Sequence, residues 1–146
     1  MTAFVDTNVL VYARDASEPG KQPVAREWID RLWRTRQGRL SVQVLNEYYV
    51  MVTRKLHPGM SIEDAQADIR DLMSWSPMPV DAALLNRAWA VERRFGVQYW
   101  DALIVASAQR SGCRHLLTED LQDGQDLDGV LVMNPFTHQP DRALPG

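Results

Sequence analysis

Short apolar runs rich in β-forming residues alternate along this chain with longer stretches of helical period, and that alternation limits the fold more than any other feature. Ala3-Phe4-Val5 is one such run, and Arg39 to Val42, Arg114 to Leu117 and Gly129 to Met133 are three more. From Gln22 to Arg36, the residues Ala25, Trp28, Ile29 and Leu32 share one helical face, broadened by Val24 and Trp33 and stopped by Gly38. Gln43 to Leu56 continues the second strand as a helix and ends at His57-Pro58-Gly59. Ser61 with Asp64 three residues on has the form of a capping box, opening a helix through Ile69 and Leu72 to about Ser74. Leu84, Ala88, Val91 and Phe95 make the next stripe, closed by Gly96. Asp101 to Arg110 is apolar nearly all round, as expected of a helix packed centrally on a sheet, and Gly112 ends it.

This order predicts an α/β domain with a central, mainly parallel sheet of four to five strands covered by helices on both faces. Pro77 to Val80 is at most a short edge strand, Glu119 to Asp128 is a polar acidic loop, and Asn134 to Gly146, with three prolines, is a loosely held tail. The 146 residues, 45% of them hydrophobic, suffice for one domain with a core that needs no covalent staples. The single cysteine, Cys113, excludes an internal disulfide and a Cys-rich zinc site and is read as inert. The start lacks a basic n-region and no apolar run reaches membrane-spanning length, so the expectation is a cytoplasmic protein without membrane association.

A net charge of -3 and a pI near 5.6 argue against coating of nucleic acid by bulk electrostatics. Arg31, Arg34, Arg36 and Arg39 form a basic stretch that reads first as a solvated face and second as a contact for RNA or an acidic partner. His57, His115 and His138 show no ligand spacing.

Four acids stand where a carboxylate is expensive: Asp6 ends the first strand, Glu47 lies inside the apolar stretch Val42 to Val52, Asp101 opens the central helix and Asp120 follows His115-Leu116-Leu117. Each has a local explanation: a helix cap for Asp6, a helix-dipole contact for Asp101, a solvated loop for Asp120 and a pairing with Arg54 for Glu47. Together they point further, because parallel strands and the helices that follow them place these positions at one sheet edge, where such folds bind ligands. Like charges at close range repel or lose their ionisation, and a hard divalent cation, Mg²⁺ or Mn²⁺, removes the conflict. All-carboxylate sites of that kind suit phosphodiester hydrolysis. Thr7, Asn8 and Thr118 stand beside these acids as supporting groups.

Phe4-Val5-Asp6-Thr7-Asn8-Val9-Leu10 resembles the first motif of the PIN-domain nucleases, and of their VapC-like ribonuclease toxins in particular, and Tyr99-Trp100-Asp101-Ala102-Leu103-Ile104-Val105-Ala106 with Ala108, allowing for Ser107, resembles another of their motifs. Leu116 to Gln122 and Asn134-Pro135-Phe136 resemble the last motif and the chain end of one subgroup. The resemblance implies a three-layer PIN-like nuclease domain over 1–136 with a tail over 137–146. It implies a metal-dependent endoribonuclease, the toxin of a toxin-antitoxin pair, with Asp6, Glu47, Asp101 and Asp120 as metal ligands and Thr118 in support. Glu119 competes with Asp120 for the last role. A homodimer and a small antitoxin that covers the pocket are also implied, with the face carrying Trp28 and Trp33 as a docking surface. Two other readings stand beside this one: a PIN-like module that binds RNA or protein without catalysis, and an aspartyl-nucleophile phosphatase. The phosphatase wants a second acid where Asn8 stands, and no Gly-rich turn supports dinucleotide binding.

Overall fold

The structure is a computed structural model that describes residues 2–143. Five strands form one sheet in the order β2-β1-β3-β5-β4: β1 is Ala3–Val5, β2 Gly38–Arg39, β3 His115–Leu117, β4 Asp126–Leu127 and β5 Val130–Met133. The first four in that order run parallel, and β4 pairs antiparallel with β5 at the edge. Every residue of β1 and β3 is buried, as required of parallel strands covered on both faces.

The helices are α1 (Thr7–Tyr12), α2 (Gln22–Thr35), α3 (Val42–Val50), α4 (Ile62–Leu72), α5 (Ala82–Phe95), α6 (Tyr99–Arg110) and α7 (Pro140–Ala143). Helix α6 buries all seven residues from Ala102 to Ala108 and packs along α5, so the predicted central helix is central. Burying its Leu103, Ile104 and Val105 side chains contributes roughly 1.5–3 kcal/mol each.

Several boundaries differ from those expected. Helix α2 is closed by Arg36, whose left-handed backbone (φ 57°) turns its N–H onto the carbonyls of Leu32 and Trp33. Gly38 belongs instead to β2, where a Cβ would lie 2.6 Å from Trp75 Cζ3; the glycine is there for close approach and not as a helix stop. Strand β2 ends at Arg39, because the Ser41 hydroxyl accepts the Val44 N–H and starts α3 at Val42. The helix expected over 43–56 widens after Val50 into a π-helical turn, Met51–Lys55. Helix α6 begins at Tyr99, two residues early, since the Gln98 side chain accepts the Trp100 N–H and caps it.

Ser61 caps α4 through the Asp64 N–H as expected, and the segment around Met78 makes one parallel bridge to Ser41. The acidic loop contains β4, whose two residues carry no sequence alternation long enough to announce a strand. Beyond β5, Trp28 donates its indole N–H to the Pro135 carbonyl at 2.8 Å, and Phe136 meets Tyr12 edge-on. Of the predicted tail, 144–146 lies outside the described residues.

Candidate functional site

The carboxyl ends of β1 and β3 lie side by side, with Val5 opposite Leu117 and the Asp6 N–H donating to the Leu117 carbonyl at 3.0 Å. The residues just past those ends, Asp6 and Thr118, are therefore neighbours, and the Thr118 hydroxyl donates to Asp6 Oδ2 at 2.8 Å. Asp6 also caps α1, accepting the Thr7 N–H on Oδ1 at 2.7 Å. The local reading of Asp6 as a helix cap thus holds, and the same carboxyl also meets Thr118 at the sheet edge.

Asn8, the second residue of α1, turns its amide back toward the strand ends. It donates to Asp120 Oδ2 at 3.0 Å, to Thr118 Oγ1 at 3.2 Å and more weakly to Asp6 Oδ2 at 3.4 Å. Thr118 in turn accepts the Asp120 N–H at 3.1 Å, which fixes the loop after β3. Helix α1 packs on α3, and there the Thr7 hydroxyl donates to Glu47 Oε2 at 2.8 Å. Glu47's other oxygen accepts Gln43 Nε2 at 2.9 Å, so Arg54 is not its partner.

Electrostatics tie the four acids into one set. Burial drives the Asp6 carboxyl up, hydrogen bonds from Thr118 and Thr7 oppose the rise, and the charges of Asp120 and Glu47 add to it, leaving it at about 7. Asp101 is also raised, by burial first; a Gln98 hydrogen bond lowers it, and Asp120 and Glu47 raise it again. Among the described residues no lysine, arginine or histidine forms an ion pair with any of the four.

Glu119 faces elsewhere. Lys21 holds it at 2.7 Å, the Tyr12 hydroxyl donates to it, and Lys21 lies 4.6 Å from the Tyr12 ring centre and 5.3 Å from that of Phe136. Burial raises the Glu119 carboxyl and these hydrogen bonds outweigh it, so the group is held below its ordinary value. Of the two adjacent acids, it is Asp120 that joins Asp6.

The donors gathered here are oxygens, which suits Mg²⁺ or Mn²⁺ and not zinc. Asn8 Oδ1 and Gln43 Oε1 are buried without a partner, two further oxygens that could accept from water around an ion. No three acid or imidazole groups among the described residues stand close enough to ligate one ion as placed, and Asn8 bonds to two of the acids. The chemistry of the set fits a hard cation, and the arrangement is open. Beside it a cleft of about 660 Å³ is lined by Thr7, Asn8, Glu47 and Asp120 together with Tyr12, Asn46, Met51 and Lys55.

Sequence reasoning missed Gln43, Gln98 and the Lys21 clamp. The signal for Gln43 was present, a polar side chain one turn before Glu47 on a buried helix. Lys21 contacts a residue 98 positions away and has no local signal.

The PIN domain family model matches residues 3–122. The chain belongs to the PIN domain family. This PIN domain superposes on a toxin-antitoxin complex from Klebsiella pneumoniae with a TM-score of 0.66 at 19% identity, over 92% of this chain and 98% of that one. For Mycobacterium tuberculosis VapC20, a sarcin-ricin loop cleaving toxin, the TM-score is 0.62 at 24% identity, over 82% of this chain and 92% of that one. FitAB bound to an IR36 DNA fragment gives 0.70 at 18% identity, over 94% and 98%. No curated protein matches the sequence. At these identities the superpositions speak for the fold. Beyond the PIN match at residue 122, β4 and β5 complete the sheet.

Proposed function

We propose that this PIN domain is an endoribonuclease dependent on Mg²⁺ or Mn²⁺ and acts as the VapC-like toxin of a toxin-antitoxin pair. The observation that carries the reading is one anionic set drawn from the end of β1, α3, α6 and the loop after β3, with Asp6 desolvated and, among the described residues, no cationic side chain in an ion pair with it. Asp6, Glu47, Asp101 and Asp120 would hold the ion. Thr118 and Thr7 fix the orientation of Asp6 and Glu47, and the Asn8 amide, which bonds Asp6 and Asp120, would have to release them for an ion to be held there. A bound divalent cation supplies an acidified water and neutralises charge on the phosphate. The chain's own part is to hold its oxygens rigidly, and the Thr118, Thr7 and Gln43 hydrogen bonds do so.

The toxin role draws support from the toxin-antitoxin complexes among the superposing structures. A small antitoxin is the proposed partner. Its docking surface is the groove of about 770 Å³ beside α2 that Ile29, Trp33, Leu10 and Tyr48 line; Trp28, in contrast, is fully buried. We take the working unit as a homodimer in the cytoplasm and the domain as 1–136, followed by a tail over 137–146. No helix among the described residues is long and apolar enough to cross a membrane.

A second reading, a PIN module that binds RNA or protein without cutting, is favoured by the Asn8 amide bonding to Asp6 and Asp120 where an ion would otherwise balance them. One assay separates the two: partner-free protein incubated with mixed cellular RNA, with and without Mg²⁺ or Mn²⁺, and the cut ends mapped. Cation-dependent cutting that Asp6→Asn and Asp101→Asn each reduce at least a hundredfold is expected. RNA binding with no cutting under either ion selects the second reading.

A further inference from the structure

On helix α3 and the turn that follows it, Asn46, Glu47, Val50 and Met51 line the cleft beside the acids, the spacing of one helical face. Continued as an α-helix, that face would next carry Thr53 and Arg54, because seven residues make about two turns. Lys55 lines the cleft instead, and Arg54 does not. The π-helical turn Met51–Lys55 is the cause. It is closed by the Leu56 N–H on the Met51 carbonyl at 3.0 Å, takes one residue more than an α-turn, and so brings Lys55 into line with Glu47 in place of Arg54. The segment after it packs hard against the turn. The Met60 N–H donates to the Val52 carbonyl at 2.8 Å, and a Cβ on Gly59 would stand 3.1 Å from the Leu56 carbonyl oxygen.

Of the two lysines in the chain, Lys21 is clamped on Glu119, whereas Lys55 is exposed and makes no ion pair among the described residues. Yet Asp15, Glu18, Glu47 and Asp120 line the same cleft, and Lys55 is the only basic side chain among its lining residues. Neutral donors already hold two of these acids: Thr7 and Gln43 on Glu47, and Asn8 on Asp120. A cation kept to balance the protein's own charge would close on one of them. This one stays open to an anion from outside. The carboxylates repel a phosphodiester chain, so a strand that reaches them needs a compensating contact close by. An ammonium on a flexible stem is a point charge with three donors and takes a phosphate oxygen whatever the base, where arginine's planar fork would demand a fixed bidentate geometry.

We propose that Lys55 binds a backbone phosphate of an RNA strand, next to the phosphate that reaches the acids, and that the π-helical turn is what sets it there. This rests on the ribonuclease reading and adds to it the residue by which the site holds its strand. Lys55 is a substrate-binding residue and stands outside the metal set.

The test compares wild type with Lys55→Ala, Lys55→Arg and Arg54→Ala. Binding of short fluorescein-labelled oligoribonucleotides is read by anisotropy in EDTA over a range of salt, followed by KM and kcat in Mn²⁺. Arg54→Ala removes the same charge from the neighbouring residue and so measures bulk electrostatics alone. Lys55→Ala is expected to weaken binding and raise KM roughly tenfold, with kcat within about a factor of two, and to flatten the slope of log K against log salt by about 0.7, the loss of one phosphate contact on a single strand. Lys55→Arg should restore most of the affinity, and Arg54→Ala should stay within about a factor of two of wild type. A second series carries one uncharged methylphosphonate linkage, moved along the strand. At one position wild type should lose its advantage over Lys55→Ala, and Lys55→Ala should lose nothing further. Equal losses in Lys55→Ala and Arg54→Ala, or the same methylphosphonate profile in wild type and Lys55→Ala, overturn the contact. Light scattering that shows Lys55→Ala turning a dimer into a monomer places the ammonium against a second copy and overturns it too. Strands bound through Lys55 at one linkage and never cut under either ion would sink the ribonuclease reading and leave the contact standing. Cutting with a wild-type KM in Lys55→Ala would sink the contact alone.

Discussion

Asp6 is ionised only against its surroundings. The ordinary aspartate value is 3.8, and burial in the folded chain pushes it to about 7. Between roughly pH 4 and 7 the folded state therefore keeps a proton that the unfolded chain has lost. Its contribution to stability is complete below that window, disappears as pH rises through it and is of the order of a few kcal/mol. Thermal unfolding in EDTA should show wild type losing stability from pH 5 to 8 relative to Asp6→Asn, whose neutral amide does not titrate. Parallel pH profiles for the two proteins would refute this account of Asp6. Lys21 works on a neighbouring acid in the opposite sense. Replacing it with Met should raise the Glu119 carboxyl, read by a carbon-detected NMR titration, and cost about 1 kcal/mol or less because the pair is partly exposed. An unmoved Glu119 would show that the clamp is not what holds it down.

Elements were legible in the sequence where their apolar pattern was long. Helices α2, α4 and α5 appear within a residue or two of expectation, because stripes such as Leu84, Ala88 and Val91 repeat over several turns. What was not legible depends on contacts made across the chain. Gly38 looked like a helix stop, and its reason is the Trp75 ring, itself packed at 5.0 Å on Trp33. Gly38→Ala should destabilise the protein by about 1–3 kcal/mol in urea unfolding, since the buried indole has nowhere to move. An unchanged midpoint would mean that β2 shifts freely. The two-residue β4 and the widened turn after Val50 had no sequence signature, and nothing in the structure accounts for the widening.

At the scale of the whole molecule, strand polarity does the gathering. The ends of β1 and β3 set Asp6 beside Thr118, and the helices that pack around that edge bring Glu47 and Asp101 into electrostatic reach. The acids themselves were legible because carboxylates are rare at strand ends and on buried helices. The amide and hydroxyl network of Asn8, Gln43 and Gln98 was less so, since it forms only once distant segments meet. The proposed function has these gathered acids bind a divalent cation, and calorimetric titration of the partner-free protein with Mn²⁺ tests that proposal most directly. The account predicts saturable heat that Asp6→Asn and Asp101→Asn each abolish. No heat from the folded wild type, or heat unchanged in both variants, would contradict it.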